Sequence, residues 1–146
     1  MREREESNVT SEGQIKIYKT GIPVQYYQST ATNGTKYDNY GIGFPITVNG
    51  QKVAQVMNLI PSEKRKPLYD SLAAIMNMPG DHNLEIVRTT MTNSDTRAKS
   101  YIYSMQVSCL SDEGFEFTCP LRAASRADSA VFENLKRMLI AKGVLE

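Results

Sequence analysis

Residue types on which many enzymes and secreted proteins depend are scarce in this chain. Its 146 residues include no tryptophan, one histidine and two cysteines. A single histidine cannot build a histidine metal site, and two cysteines are too few for the disulfide framework of a small secreted domain. There is also no glycine-rich phosphate loop, no nucleophile elbow and no metal-spaced set of acids. The sequence therefore predicts a non-enzymatic protein with no cofactor and no bound metal.

An excess of one charge and long apolar runs are missing as well. The net charge is +1, from 17 basic and 16 acidic residues, so no global field marks the chain as a binder of polyanions. No run is long enough to cross a bilayer, and the charged start from Met1 to Glu6 lacks the apolar stretch of a signal peptide. We predict a cytoplasmic protein, or a virion protein if it is a coat subunit, without membrane contact.

Cys109 and Cys119 fall on neighbouring strands of a predicted hairpin. A turn around Asp112 and Glu113 would pair Cys109 with a residue near Glu116, which leaves Cys119 out of register. Because a disulfide requires a narrow geometry, we predict two reduced cysteines that act as small apolar side chains.

The chain contains an internal repeat. Leu68 to Met76 (LYDSLAAIM) recurs class for class as Val131 to Leu139 (VFENLKRML), 63 residues later, and each copy follows several strand-like segments. The predicted fold is α+β: an antiparallel sheet built from two strand-strand-strand(-strand)-helix repeats, residues 14–79 and 83–146, with the helices packed on one side. Residues 1–13 are charged and without periodicity, which predicts a tail that is disordered or ordered only by a partner.

Turn signals divide each repeat into strands. Asn33-Gly34 and Asn49-Gly50 each predict a two-residue hairpin turn of type I′. Gly41, Gly43 and Pro45 interrupt the third strand, which favours an edge position or a bulge over the middle of a sheet.

The two helices have recognisable starts. The first begins either with Ser62 as its N-cap or with Pro67 in its first turn, and the second begins with a capping box of Ser125 and Asp128. His82, the single histidine, lies in a predicted turn that joins the two repeats, where we expect it to be solvated.

Tyrosine is the enriched aromatic type, and several tyrosines alternate with basic residues on predicted strands. Aromatic rings can stack on unpaired bases while lysine and arginine neutralise the backbone phosphates. Tyrosines also favour strands for packing reasons alone, so the interleaved basic residues are what indicate a binding surface. The predicted nucleic-acid-binding residues are Lys16, Tyr18, Lys19, Tyr26, Tyr27, Lys36, Tyr37, Arg97, Lys99, Tyr101 and Tyr103.

This arrangement of two repeats, each with several antiparallel strands followed by one helix, resembles the PUR and Whirly groups of single-stranded nucleic-acid-binding proteins. The resemblance covers roughly Gln14 to Leu145. It implies a curved sheet that holds DNA or RNA, and a homodimer. A Whirly-type Lys-Gly-Lys-Ala motif is missing, so no binding residue is transferred from those families.

Leu84 to Leu139 also resembles the sheet-to-helix end of single-stranded RNA phage coat proteins. This segment has a long hairpin around Asn93-Ser94-Asp95, a further strand and an amphipathic helix. Such coats are interlocked dimers whose sheet faces the genome. The Leu68 to Met76 helix interrupts the region where those coats have strands.

Three functions follow, in order of preference. The first is binding of single-stranded DNA or RNA by a homodimer or larger homo-oligomer. The second is a coat-like, self-assembling structural protein that contacts RNA. The third is a small inhibitor of another protein, because an exposed strand edge at Gly41 to Pro45 could pair with a partner's strand.

Overall fold

The computed structural model describes residues 11–146, with side chains from residue 14 onward. Seven strands and two helices follow one another as β1 (Ser11–Pro23), β2 (Gln25–Thr30), β3 (Lys36–Val48), β4 (Gln51–Pro61), α1 (Lys66–Met76), β5 (Asp81–Thr92), β6 (Lys99–Leu110), β7 (Glu116–Ala123) and α2 (Arg126–Ala141). The predicted α+β class is confirmed. After β1, the order of three strands and a helix occurs twice.

All seven strands form one antiparallel sheet in the order β1-β5-β6-β7-β4-β3-β2. Its four-stranded part, β1-β5-β6-β7, joins its three-stranded part, β4-β3-β2, where Leu59 pairs with Ala123 and Ile60 pairs with Arg122. In the repeat, with its spacing of 63 residues, Leu59 corresponds to Arg122 and Ile60 corresponds to Ala123. The pair Leu59–Ala123 is therefore equivalent to the pair Arg122–Ile60. The two repeats are therefore related by an approximate twofold axis that passes between β4 and β7.

Both helices contribute to a single core. Each helix packs mainly on strands of the other repeat: α1 lies on β7 and β6, and α2 lies on β4 and β3. Leu72 and Ile75 of α1 and Leu135 and Leu139 of α2 are buried in the same apolar cluster. Neither repeat therefore encloses a core without the other.

The helix starts follow from local chemistry. The first helix begins at Lys66 with Pro67 in its first turn, so Ser62 is not its N-cap. Proline suits this position because the missing N–H would have no helical partner. The predicted cap of α2 is confirmed, since the Ser125 hydroxyl accepts the Asp128 N–H at 3.2 Å.

The two predicted hairpin turns differ in type. Asn49 and Gly50 have φ of 50° and 81°, as a type I′ turn requires. The hairpin at Asn33-Gly34 exists, but its predicted turn type is wrong: the Ala31 N–H donates to the Thr35 carbonyl, and Asn33 does not adopt positive φ. The reason is that the Asn33 side chain accepts the Thr35 N–H at 3.0 Å, which stabilises a longer loop.

Strand β3 is interior at one end and an edge at the other. Gly41 pairs with Gln25 on one side and with Asn58 on the other, so the predicted edge position is wrong there. From Gly43 to Val48 the strand pairs with β4 alone, because β2 does not reach that far. Pro45 lies in this edge half, as predicted, and β2 does not extend along it.

The linker histidine and the tail also differ from expectation. His82 belongs to β5 instead of a turn, and its Nε2 lies 2.7 Å from the Ile75 carbonyl at the end of α1. Ser11 and Glu12, assigned to the tail, pair with β5 as part of β1. The rest of the predicted tail, residues 1–10, lies outside the described residues.

A single residue connects the two edges of the sheet. β1 and β2 lie at opposite edges, yet only Val24 separates them in the chain. Two bonded Cα–Cα steps span less than about 8 Å, so the edges must meet at this point. The buried Val24 donates its N–H to the His82 carbonyl at 2.7 Å. The sheet is therefore strongly curved at this end.

Both cysteines are free and buried, as predicted. Cys109 lies opposite Phe117 and Cys119 lies opposite Val107, so the two are not cross-strand partners. Burial raises the pKa of both thiols. They serve as apolar core residues.

Candidate functional site

The predicted binding residues are divided between the two faces of the sheet. Side chains alternate along each strand, so the pairing register assigns every residue to the helix-bearing face or to the opposite one, here called the open face. The open face carries Lys19, Tyr27 and Tyr37. The helix-bearing face carries Lys16, Tyr18, Tyr26, Lys36, Lys99, Tyr101 and Tyr103, while Arg97 lies in the β5–β6 turn at φ 60°.

Tyr18 and Tyr101 belong to a packed cluster on the helix-bearing face. The Arg88 guanidinium lies 5.7 Å from the Tyr18 ring centroid and 4.5 Å from that of Tyr101. Lys16 lies 5.1 Å from the Tyr18 ring and pairs with Glu146 at 2.7 Å. Tyr18 is only 7% exposed, so its ring is covered by the protein itself. These cation–π contacts stabilise the fold.

Tyr103 and Tyr26 are also engaged within the protein. The Lys136 ammonium lies 5.1 Å from the Tyr103 ring, and the Tyr103 hydroxyl donates to the Glu146 carbonyl at 3.3 Å. The Tyr26 hydroxyl donates to Asp38 at 2.7 Å, a bond that raises the pKa of Tyr26 and lowers that of Asp38. The Tyr26 ring also packs against the Tyr40 ring, with centroids 5.5 Å apart, so both Tyr26 and Tyr103 have protein groups against their rings.

Tyr27 is different, because its ring lies along the open face. Its hydroxyl donates to the side-chain oxygen of Asn58 at 2.5 Å. Tyr27 is on β2 and Asn58 on β4, which are separated by β3 and hence by about 10 Å. The tyrosine side chain must therefore extend across β3 with its ring along the sheet, and Tyr27 remains 43% exposed.

Two glycines keep the surface beside this ring flat. Gly41 lies between β2 and β4, and a Cβ there would approach the Met57 carbonyl to 3.0 Å. Gly43 is the next open-face position of β3, and a Cβ there would meet only the Gln55 carbonyl, at 4.0 Å. Packing explains Gly41 but not Gly43, whose bare backbone leaves room for a ligand to approach closely.

The second helix fixes the partner of Tyr27. The Asn58 N–H donates to the Asp128 carboxylate at 2.9 Å, and the Ser125 hydroxyl donates to the other carboxylate oxygen at 2.6 Å. Asp128 is buried, so these bonds are shielded from water. The cap of α2 thus holds the strand position from which Asn58 reaches Tyr27.

The rest of the open face combines polar side chains with exposed apolar ones, among them Ile15, Ile17, Val56 and Ile102, and its basic residues include Lys19, Arg122 and Lys52. Lys19 lies on β1, and Arg122 lies opposite Ile60 where the two parts of the sheet join. Glu85, the buried acid on this face, accepts a hydrogen bond from Gln106 at 2.7 Å. Amide and hydroxyl groups surround these residues: Gln25, Ser29, Asn39, Ser104, Gln106 and Thr118.

Asn58 and Arg122 were not among the predicted site residues. Each alternates with buried neighbours, Asn58 between Met57 and Leu59 and Arg122 after Leu121. This alternation indicates that the side chains of Asn58 and Arg122 lie on the face of the sheet opposite to their buried neighbours. The pattern alone does not tell which face the helices cover.

No helix in residues 11–146 has both the length and the apolar character to cross a membrane. Within the same residues, no cluster of three or more histidine, cysteine, aspartate or glutamate side chains is placed to hold a metal ion.

Comparison with known proteins leaves the family open. No protein-family model, curated protein or solved structure matches the chain. The resemblances to PUR, Whirly and phage coat proteins therefore stay predictions.

Proposed function

We propose that this protein binds single-stranded DNA or RNA on the open face, without catalysis. The observation that carries the proposal is the Tyr27 ring, which is held along the sheet by Asn58 and remains exposed. Single-stranded nucleic acids bind to sheets through bases that stack on such rings, because every base has a π-face.

The neighbouring groups have matching roles. Arg122 and Lys19 supply positive charge for backbone phosphates, and the amides and hydroxyls of the open face offer hydrogen bonds to base edges. Tyr37, which is 51% exposed at the start of β3, adds a second ring. Arg97 lies in the β5–β6 turn, where it can contact a flanking nucleotide, whereas Lys36 and Lys99 lie on the helix-bearing face and have no role in this proposal.

Fluorescence anisotropy with labelled oligonucleotides tests this proposal. Stacking of one base contributes about 1–3 kcal/mol, so Tyr27→Ala is expected to weaken binding by roughly 5- to 150-fold. Tyr101→Ala is the matched control, because Tyr101 has a similar exposed fraction, 49% against 43%, on the helix-bearing face. Affinity should also fall steeply with salt. Equal affinities of the two variants would refute the assignment of the open face.

A second candidate is a coat-like, self-assembling subunit. It is favoured by three large apolar side chains exposed around the β6–β7 hairpin, Leu110, Phe115 and Phe117. Exposed apolar clusters with polar surroundings mark contact surfaces. Sedimentation velocity without nucleic acid distinguishes this role, since a coat subunit forms particles far larger than a dimer.

A further inference from the structure

The end of the β6–β7 hairpin, Leu110 to Phe117, is both apolar and acidic; we call it the hairpin tip. Leu110, Phe115 and Phe117 are 58%, 63% and 42% exposed. Asp112, Glu113 and Glu116 stand between them in the sequence, and none of the three forms a salt bridge within residues 14–146. Solvent exposure of two phenylalanines is unfavourable, so this tip is suited to burial against a basic and apolar partner.

The hairpin tip is held in one conformation. The Ser111 N–H donates to the Phe115 carbonyl at 2.8 Å, and the Phe115 N–H donates to the Ser111 hydroxyl at 3.1 Å. Gly114 takes the positive φ of 93° that closes the loop. Because the tip is already ordered, docking it costs little conformational entropy.

A complementary surface exists elsewhere on the same chain. A groove of about 570 Å³ lies between the edge half of β3, residues 45–48, and the second helix; we call it the basic groove. Its apolar wall includes Ile46, Val48 and Met138, and its charges come from Lys52, Arg137 and Lys142, with no acid in its lining. None of these three cations pairs with an acid among the described side chains.

The tip and the groove of one chain cannot meet. Lys52 lies at the start of β4, whose far end pairs with Leu121 of β7, and β7 then leads away to the tip. At about 3.3 Å per residue, the path along the two strands from the groove to the tip is roughly 45 Å long. The groove is therefore available to the tip of another molecule.

We propose that the hairpin tip of one copy docks in the basic groove of a second copy. Phe115 and Phe117 pack on the apolar wall, and Asp112 and Glu113 at the turn face Lys52, Arg137 and Lys142. Leu110 and Glu116 form a cross-strand pair on the opposite face of the hairpin from Phe117. Unlike surfaces meet, so the contact is heterologous: each copy offers a free tip and a free groove, and association continues into a ring or a chain. This inference does not depend on nucleic-acid binding.

Sedimentation velocity across a concentration series, without nucleic acid, measures the association. The wild type is expected to form concentration-dependent oligomers that weaken as salt rises. A tip variant with Phe115→Ser and Phe117→Ser, and a groove variant with Arg137→Glu, should both be monomeric. Ile140→Ser and Lys64→Glu are the controls, because they alter an exposed apolar residue and an exposed charge outside both surfaces. Circular dichroism confirms that every variant is folded.

Mixing the two disabled variants is the decisive step. The groove variant still has a tip and the tip variant still has a groove, so an equimolar mixture should form a 1:1 dimer that grows no further. A wild type that stays monomeric at all concentrations would overturn the proposal. The same holds if the tip and groove variants associate like the wild type, or if their mixture stays monomeric.

Discussion

The hydroxyl of Tyr27 and the side-chain oxygen of Asn58 are joined across an intervening strand at 2.5 Å. Most exposed tyrosines on a sheet point away from it, because side chains stand roughly perpendicular to the strands. This bond instead holds the ring along the surface. A ring fixed in that orientation presents one face to solvent and loses little freedom when a base stacks on it.

The Tyr27–Asn58 bond predicts coupling between two substitutions. Tyr27→Phe keeps the ring but loses the bond, and Asn58→Ala removes the acceptor. Each single variant should bind an oligonucleotide about 2- to 13-fold more weakly, because a neutral hydrogen bond contributes about 0.5–1.5 kcal/mol. The double variant should be no weaker than the worse single one. Additive losses in anisotropy titrations would show that the bond does not position the ring.

Asp128 is expected to matter for stability beyond the cap of α2. Its buried carboxylate accepts the Asn58 N–H and the Ser125 hydroxyl, so Asp128→Ala leaves two polar groups without this partner. We expect the free energy of unfolding to fall by about 1–3 kcal/mol, measured by urea denaturation. Glu133→Ala, which removes an exposed acid from the same helix, should change it by less than about 0.5 kcal/mol. Similar losses in both would contradict this role of Asp128.

The thiols of Cys109 and Cys119 are expected to resist alkylation. Burial raises the pKa of both, so the reactive thiolate is scarce as well as shielded. The folded protein should incorporate almost no iodoacetamide at pH 8, and the unfolded protein should incorporate two equivalents without any reductant. Mass spectrometry gives the count. If both equivalents appeared only after reduction, the cysteines would be disulfide-bonded.

The Lys16–Glu146 pair predicts a pH window. The bond to Lys16 holds the Glu146 pKa below 4.5, so its stabilisation is present above that value and is lost as pH falls through the folded pKa. The same bond raises the Lys16 pKa above 10.5, so that contribution is lost as pH rises through it. The difference in urea midpoint between wild type and Glu146→Gln should therefore be largest near neutral pH.

Acid should abolish this difference, whereas at high pH part of it should persist. Arg88 stays protonated and lies 3.6 Å from Glu146, so the carboxylate keeps a cation when Lys16 is neutral. A difference that is constant from pH 3 to pH 7 would rule out a role of the Glu146 charge.

The alternation of residues predicted the pairs but not their faces. Alternation along β1 puts Ile15 and Ile17 on the face opposite to Lys16 and Tyr18, yet the isoleucines are exposed and Tyr18 is buried. Sequence could not reveal this because both sides of β1 carry large side chains. Burial depends on the groups that cover each face, and Tyr18 is covered by Lys16 and Arg88. For the same reason the sequence could not show that most of the predicted binding tyrosines, namely Tyr18, Tyr26, Tyr101 and Tyr103, lie on the helix-bearing face.

The repeat predicted more of the fold than composition did. A shared helix signature 63 residues apart gave the element order, and the same spacing relates the strand pairs at Leu59 and Ile60. It could not show that each helix packs mainly on the other repeat, because that depends on how the two repeats are placed relative to each other in the folded chain. It also gave no sign of the Tyr27–Asn58 bond, which joins residues 31 positions apart.

The most direct test of the proposed function is ultraviolet cross-linking of a bromouridine-containing oligonucleotide, followed by peptide mass spectrometry. The open face should carry the cross-links, with Tyr27 as the principal site and Tyr37 as a weaker one. Tyr27→Phe should keep a cross-link at position 27, whereas Tyr27→Ala should lose it. Cross-links confined to Tyr101 and Tyr103, on the helix-bearing face, would contradict the account.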